Sequence, residues 1–153
     1  MTNSPSSASS PNKNLLASLP STSVQIELRV RYSETDRMGI AHNKNYLDWF
    51  EMGRTEYCRQ KGLSYRDIEE RGFYLVVVES FCRYRKPLRY DDRFLVRTFL
   101  RDATPRKTVF AYELRTADGQ ALVAEGYTAH VPVNRESVFT SLPEELLSVL
   151  TRP

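Results

Sequence analysis

The chain has 153 residues, of which 41% are hydrophobic and 27% charged, with 22 Lys and Arg against 19 Asp and Glu. That balance is ordinary for a globular protein and too small for more than one domain, and a net charge of +3, with bases interspersed among acids and aromatics, gives no nucleic-acid-binding signature. The longest aliphatic run, Leu75 to Val78, is far short of the roughly 18 to 20 apolar residues of a membrane-spanning helix. Cys58 and Cys82 fit neither a disulfide framework nor, with His42 and His130, a zinc site, so the expectation is a reduced, metal-free, cytoplasmic domain.

Residues 1–23 hold eight Ser and three Pro, with Lys13 as their one charged side chain, and show no apolar period. They read as a disordered tail, lacking the apolar block of a secretory signal and the arginines of a transit peptide. The fold is therefore assigned to residues 24–153. From Val24 to Tyr32, Ile26, Leu28 and Val30 alternate with Glu27, Arg29 and Arg31, the pattern of a half-buried strand. Ser33 to Asn43 breaks that period, and Asn43 or Asn45 is a candidate cap for the next element. Tyr46, Phe50, Gly53 and Tyr57 then recur at helical spacing, which predicts one long amphipathic helix from 45 to about 61, with Gly62 beyond its end. Ser64 to Arg71 suggests a short second helix.

After Gly72 the period becomes two. Strands are expected at 74–86, 92–102, 107–116 and 120–133, separated by Pro87 to Asp92, by Ala103 to Arg106 and by the Ala117-Asp118-Gly119 turn. Read in order they make an antiparallel meander. A terminal helix is expected from Leu142 to Leu150, with Ser141 as cap and Pro143 in its first position. The order strand, long helix, four strands implies an α+β domain in which a curved five-stranded antiparallel sheet wraps one long central helix. Its free face and edges favour a homo-oligomer.

The chemically informative stretch is Tyr32 to Tyr46, which puts Asp36 in a loop just ahead of a helix start, where main-chain N–H groups are unpaired. A carboxylate beside such donors suits acyl transfer, although an Asp before a helix is more often a turn or capping residue. The pattern Tyr32-x-x-Thr35-Asp36-x-x-Gly39-x-x-x-Asn43-x-x-Tyr46, then Phe50-Glu51-x-x-Arg54-Thr55-Glu56, resembles the 4-hydroxybenzoyl-CoA thioesterase family of hotdog proteins, especially its YbgC-like acyl-CoA thioesterases. The run Val78-Glu79-x-x-Cys82-Arg83-Tyr84-x-Lys86-Pro87-x-x-Tyr90-Asp91-Asp92 resembles the same family.

The resemblance implies a hotdog fold and hydrolysis of an acyl-CoA thioester without metal or bound cofactor. It implies Asp36 as nucleophile or general base, the Asn43 backbone N–H as donor to the thioester carbonyl, Gly39 as a shaper of the loop, and a homodimer or homotetramer with the site at a subunit interface. Many YbgC-like members carry Tyr-His where this chain has His42-Asn43, which leaves His42 as a catalytic candidate beside its reading as a packing residue. Tyr46, Trp49 and Phe50 are candidates for the acyl pocket, and Arg83, Arg85 and Lys86 for the phosphates of coenzyme A. An acyl carrier protein thioesterase, or a hotdog protein that binds acyl thioesters without hydrolysing them, is the alternative. Glu51, Cys58, Cys82, His130, Asp91 and Asp92 are read as structural.

Overall fold

The computed structural model describes residues 19–20 and 22–153; most of the expected tail, residues 1–18 and 21, lies outside them. Strand β1 (Val24–Arg29) leads through a single 3-10 turn (Tyr32–Glu34) and a loop into helix α1 (Lys44–Gln60). Helix α2 (Tyr65–Glu70) follows, opened by Ser64 in a reciprocal capping pair with Asp67. Strands β2 (Tyr74–Tyr84), β3 (Arg93–Thr104), β4 (Lys107–Thr116) and β5 (Leu122–Val133) precede helix α3 (Glu144–Leu150). Among the described residues no helix is long and apolar enough to cross a membrane.

The strands form one antiparallel sheet in the order β1-β3-β4-β5-β2, the hotdog arrangement. Only β3, β4 and β5 are a meander. β2 lies at the far edge, with Tyr74 opposite Val133 and Tyr84 opposite Ala124, so the expected four-strand meander is corrected. Alternation identifies strands and their faces but says nothing about which strand is whose neighbour. Residues 85–92 are consequently a crossover and not a hairpin turn: they pass under the loop that precedes α1, where Ala41 N–H donates to Leu88 O at 2.7 Å. At the other end, α3 begins at Glu144 with Pro143 in the cap position, and Ser141 does not cap it.

Helix α1 packs its apolar stripe on one face of the sheet. Trp49 meets Phe94 at 4.6 Å between ring centroids, Phe50 stacks on Tyr112 at 4.3 Å, and Tyr57 meets Phe110 edge-on at 5.6 Å. Gly53 allows this approach. A Cβ there would stand 2.4 Å from Thr98 Oγ1 and 2.9 Å from Val96 Cγ1.

A line of polar groups is sealed into the same interface. Arg54 Nε donates to Tyr65 Oη at 3.2 Å, Tyr112 Oη and Thr128 Oγ1 are 2.6 Å apart, and Thr128 Oγ1 is 2.8 Å from His130 Nε2. Burial, reinforced by the Arg54 cation, pushes the His130 imidazole down to about 4 from its ordinary 6.5. Between those values the unfolded chain binds a proton that the folded chain refuses, so stability is full above pH 6.5 and declines as pH falls towards 4. From pH 7 to pH 5 the loss from this residue is about 2 kcal/mol. Urea unfolding at both pH values should show it in the wild type and not in His130→Gln; equal loss in the two proteins would contradict it.

Candidate active site

The loop between the 3-10 turn and α1 folds back on itself. Thr35 bridges Ala41, Asp36 N–H donates to Ile40 O at 3.0 Å, and Gly39 N–H donates to Asp36 O at 3.0 Å. Gly39 has φ +75°, a conformation that favours glycine at the close of this turn. Asp36 opens the turn, and its Oδ1 accepts the Met38 N–H at 2.8 Å. The turn-residue reading is thus correct for one carboxylate oxygen. The other, Oδ2, accepts no hydrogen bond among the described residues, and the residue is half-buried.

The helix start departs from expectation. Asn43 occupies the cap position with φ −57° and ψ −26°, but its side chain accepts no capping bond. His42 takes that task, its Nδ1 accepting the Lys44 N–H at 3.1 Å. An accepting Nδ1 puts the ring hydrogen of the neutral imidazole on Nε2. Asn45 is buried and points back into the loop, its Nδ2 donating to Glu34 O at 2.7 Å and to His42 O at 2.9 Å. The N–H of Asn43 itself donates to no protein acceptor among the described residues, as the geometry of a helix start leads one to expect.

Asp36, His42 and Asn43 line one wall of a cavity of about 400 Å³. Ile40, Ala41, Tyr46, Tyr84 and Pro87 supply its apolar surface, and Arg85 and Lys86 its basic rim. Tyr46 and Tyr84 meet edge-on at 4.8 Å, and burial raises the Tyr46 hydroxyl to about 12, so it stays protonated at neutral pH. Burial also raises the Tyr84 hydroxyl above its ordinary value. Arg85 is held by the buried Glu125 carboxylate at 2.8 Å, whereas Lys86 makes no ion pair among the described residues.

Three of the expected binding residues sit elsewhere. Trp49 and Phe50 are inside the core, and Arg83 lies on the outer face of the sheet, 3.6 Å from Glu125 and above the Phe81 ring. Four lining residues, Ile40, Ala41, Tyr84 and Pro87, escaped the sequence reading as pocket residues, the first two within the Asp36 loop itself. Period two does put Tyr84 on the face of Cys82, but the proximity of β2's end to the helix start depends on the crossover. Glu51 is exposed and 3.6 Å from Arg54; Cys58 is buried, which raises its thiol to about 12. A larger cavity, about 610 Å³, lies among Arg106, Pro132 and Phe139, but among the described residues that line it none carries a carboxylate, imidazole or thiol. The chemistry favours the smaller one.

A carboxylate oxygen and a main-chain N–H, each unpaired among the described residues and lining one cavity with apolar and basic side chains, suit hydrolysis of an activated carbonyl. Residues 30–150 match the family described as the thioesterase-like superfamily, and the chain belongs to it. YneP of Bacillus subtilis, provisionally named an acyl-CoA thioesterase, is 39% identical over 111 residues, covering 72% of this chain and 80% of that protein. The crystal structure of the hypothetical protein AQ1494 from Aquifex aeolicus superposes with a TM-score of 0.78 at 35% identity, covering 84% of this chain and 99% of that one. A DHNA-CoA thioesterase from Staphylococcus aureus gives a TM-score of 0.73 at 29% identity, with 80% and 81% of the two chains covered. The chain is a thioester hydrolase of the hotdog fold.

Proposed function

We propose that this hydrolase cleaves acyl-CoA thioesters, with Asp36 as the reacting carboxylate and the Asn43 N–H as oxyanion donor. The observation that carries the reading is that both groups, each with unused hydrogen-bonding capacity, line one cavity. As a base, Asp36 takes a proton from water while the water oxygen bonds to the thioester carbon. The carbonyl oxygen becomes negative, the C=O bond then re-forms, the C–S bond breaks, and sulfur leaves with the proton from Asp36. As a nucleophile, Asp36 forms an acyl anhydride and expels the thiolate, and water then hydrolyses the anhydride. Both courses place the negative oxygen at the same donor.

The names carried by YneP and the Staphylococcus aureus enzyme support coenzyme A as the thiol, and Lys86 and Arg85 suit its phosphates. The same cations would suit an acidic carrier protein, and turnover on matched CoA and carrier-protein thioesters separates the two. The purified protein should release free thiol from members of a panel of aliphatic and aromatic acyl-CoA thioesters. Asp36→Asn, folded by circular dichroism, should lose about a hundredfold or more in kcat. Binding of acyl-CoA without turnover by the wild type would overturn CoA as the thiol and favour a carrier-protein thioester or a non-catalytic binding role.

The homo-oligomer is proposed to form through β2. This edge strand exposes Val76, Val77 and Val78 at 42%, 43% and 53%, an apolar edge that an isolated domain would leave open to pairing. It runs directly into Arg85 and Lys86, so a second copy paired on β2 would approach the cavity. Light scattering at micromolar concentration should give at least a dimer for the wild type and a monomer for Val77→Lys. A wild-type monomer would contradict the proposal.

A further inference from the structure

Glu34 is a carboxylate that the proposed hydrolysis does not use, yet it is nearly sealed from solvent, its side chain 7% exposed. Burying an ionised group costs several kcal/mol unless it is paired and hydrogen-bonded, and Glu34 is. Oε2 accepts the Arg31 N–H at 2.7 Å, and Oε1 accepts Arg31 Nε at 3.1 Å and Trp49 Nε1 at 3.2 Å. Its main-chain oxygen accepts the His42 N–H at 2.8 Å and Asn45 Nδ2 at 2.7 Å. Asn45 and Trp49 are one helical turn apart on the same face of α1, so two successive turns of the helix grip one residue, one by its carbonyl and one by its carboxylate.

That residue stands two positions before Asp36, and His42 stands one before Asn43. We infer that Glu34 is a positioning residue: its clamp on Trp49 and Asn45 sets the distance between the Asp36 carboxylate and the Asn43 N–H. The inference rests on the proposed role of Asp36. A cap of the 3-10 turn would need only the Arg31 N–H. The bond to Trp49 adds nothing to that cap; what it fixes is the carboxylate's height along α1, and the donor for the oxyanion lies at the start of the same helix.

Trp49 is the only tryptophan in the chain, and Trp49→Phe removes the indole N–H while leaving an aromatic ring against Phe94. Displacement of reacting groups by a fraction of an ångström lowers turnover without altering how the rest of the substrate binds. Glu34→Gln and Trp49→Phe should each lower kcat by about tenfold or more with KM changed by less than about twofold, and the double variant should be no slower than the worse single one. kcat is counted per folded molecule, by active fraction on size exclusion, so loss of stability alone does not enter. If Glu34→Gln fails to fold, Trp49→Phe carries the test alone.

A kcat within about twofold of wild type in Trp49→Phe overturns the inference, as does strict multiplication of the two single effects in the double variant. Asp36→Asn serves as the separate control. If Asp36→Asn stays active, the reading of Asp36 has failed, whatever the other variants do. If it is inactive while Trp49→Phe is fully active, the positioning role alone has failed.

Discussion

The carbonyl oxygen of Glu34 accepts two hydrogen bonds, from the His42 N–H and from the Asn45 side chain, and the candidate site depends on that junction. It ties the end of the Asp36 loop to the first turn of α1. Without it the nine-residue loop would be held by its own turn and by the crossover beneath it, with nothing tying it to the helix start. With it, Asp36 and Asn43 are held as lining residues of one cavity, and Asn43 carries an unpaired N–H of the helix start.

The sheet supports this junction from below. The crossover between β2 and β3 passes beneath the loop, bonding Ala41 through Leu88 and pairing Arg89 with Ile40, so the floor of the site is part of the sheet's own connection. The helix is held against the sheet by Trp49, Phe50 and Tyr57, and the close approach at Gly53 sets its height. Trp49 belongs to both systems: its ring packs in the core and its N–H reaches Glu34. Core packing and site geometry are thereby coupled through one side chain, which explains why an aromatic residue read from sequence as a pocket wall is found in the interior.

Much of the architecture was legible because periodicity reports directly on burial. The alternation of Ile26, Leu28 and Val30 and the helical spacing of Tyr46, Phe50, Gly53 and Tyr57 put β1 and α1 within a few residues of their observed bounds. Strand order was not legible from the pattern itself, since β2 reads identically whether it pairs with β3 or with β5. At the site, the wall of Asp36, His42 and Asn43 follows from a local motif, whereas Tyr84 and Pro87 arrive through the crossover, a long-range event. Asn43, one of the two candidate caps of α1, does occupy the cap position, but three polar residues in close succession compete for the same N–H groups and its side chain makes no capping bond. The structure gives the capping bond to His42, leaves Asn43 free and turns Asn45 inward.

In the proposed mechanism a main-chain hydrogen, and not the side chain of the residue that carries it, stabilises the oxyanion. Asn43 has φ −57°, which proline tolerates, so Asn43→Pro deletes the N–H with little change in backbone conformation, and Asn43→Ala deletes only the side chain. In kcat for the best acyl-CoA substrate, with folding checked by circular dichroism, Asn43→Ala should stay within a few-fold of wild type. Asn43→Pro should fall by about a hundred- to a thousandfold, the usual cost of one oxyanion donor. Equal activity of the folded proline and alanine variants would contradict it.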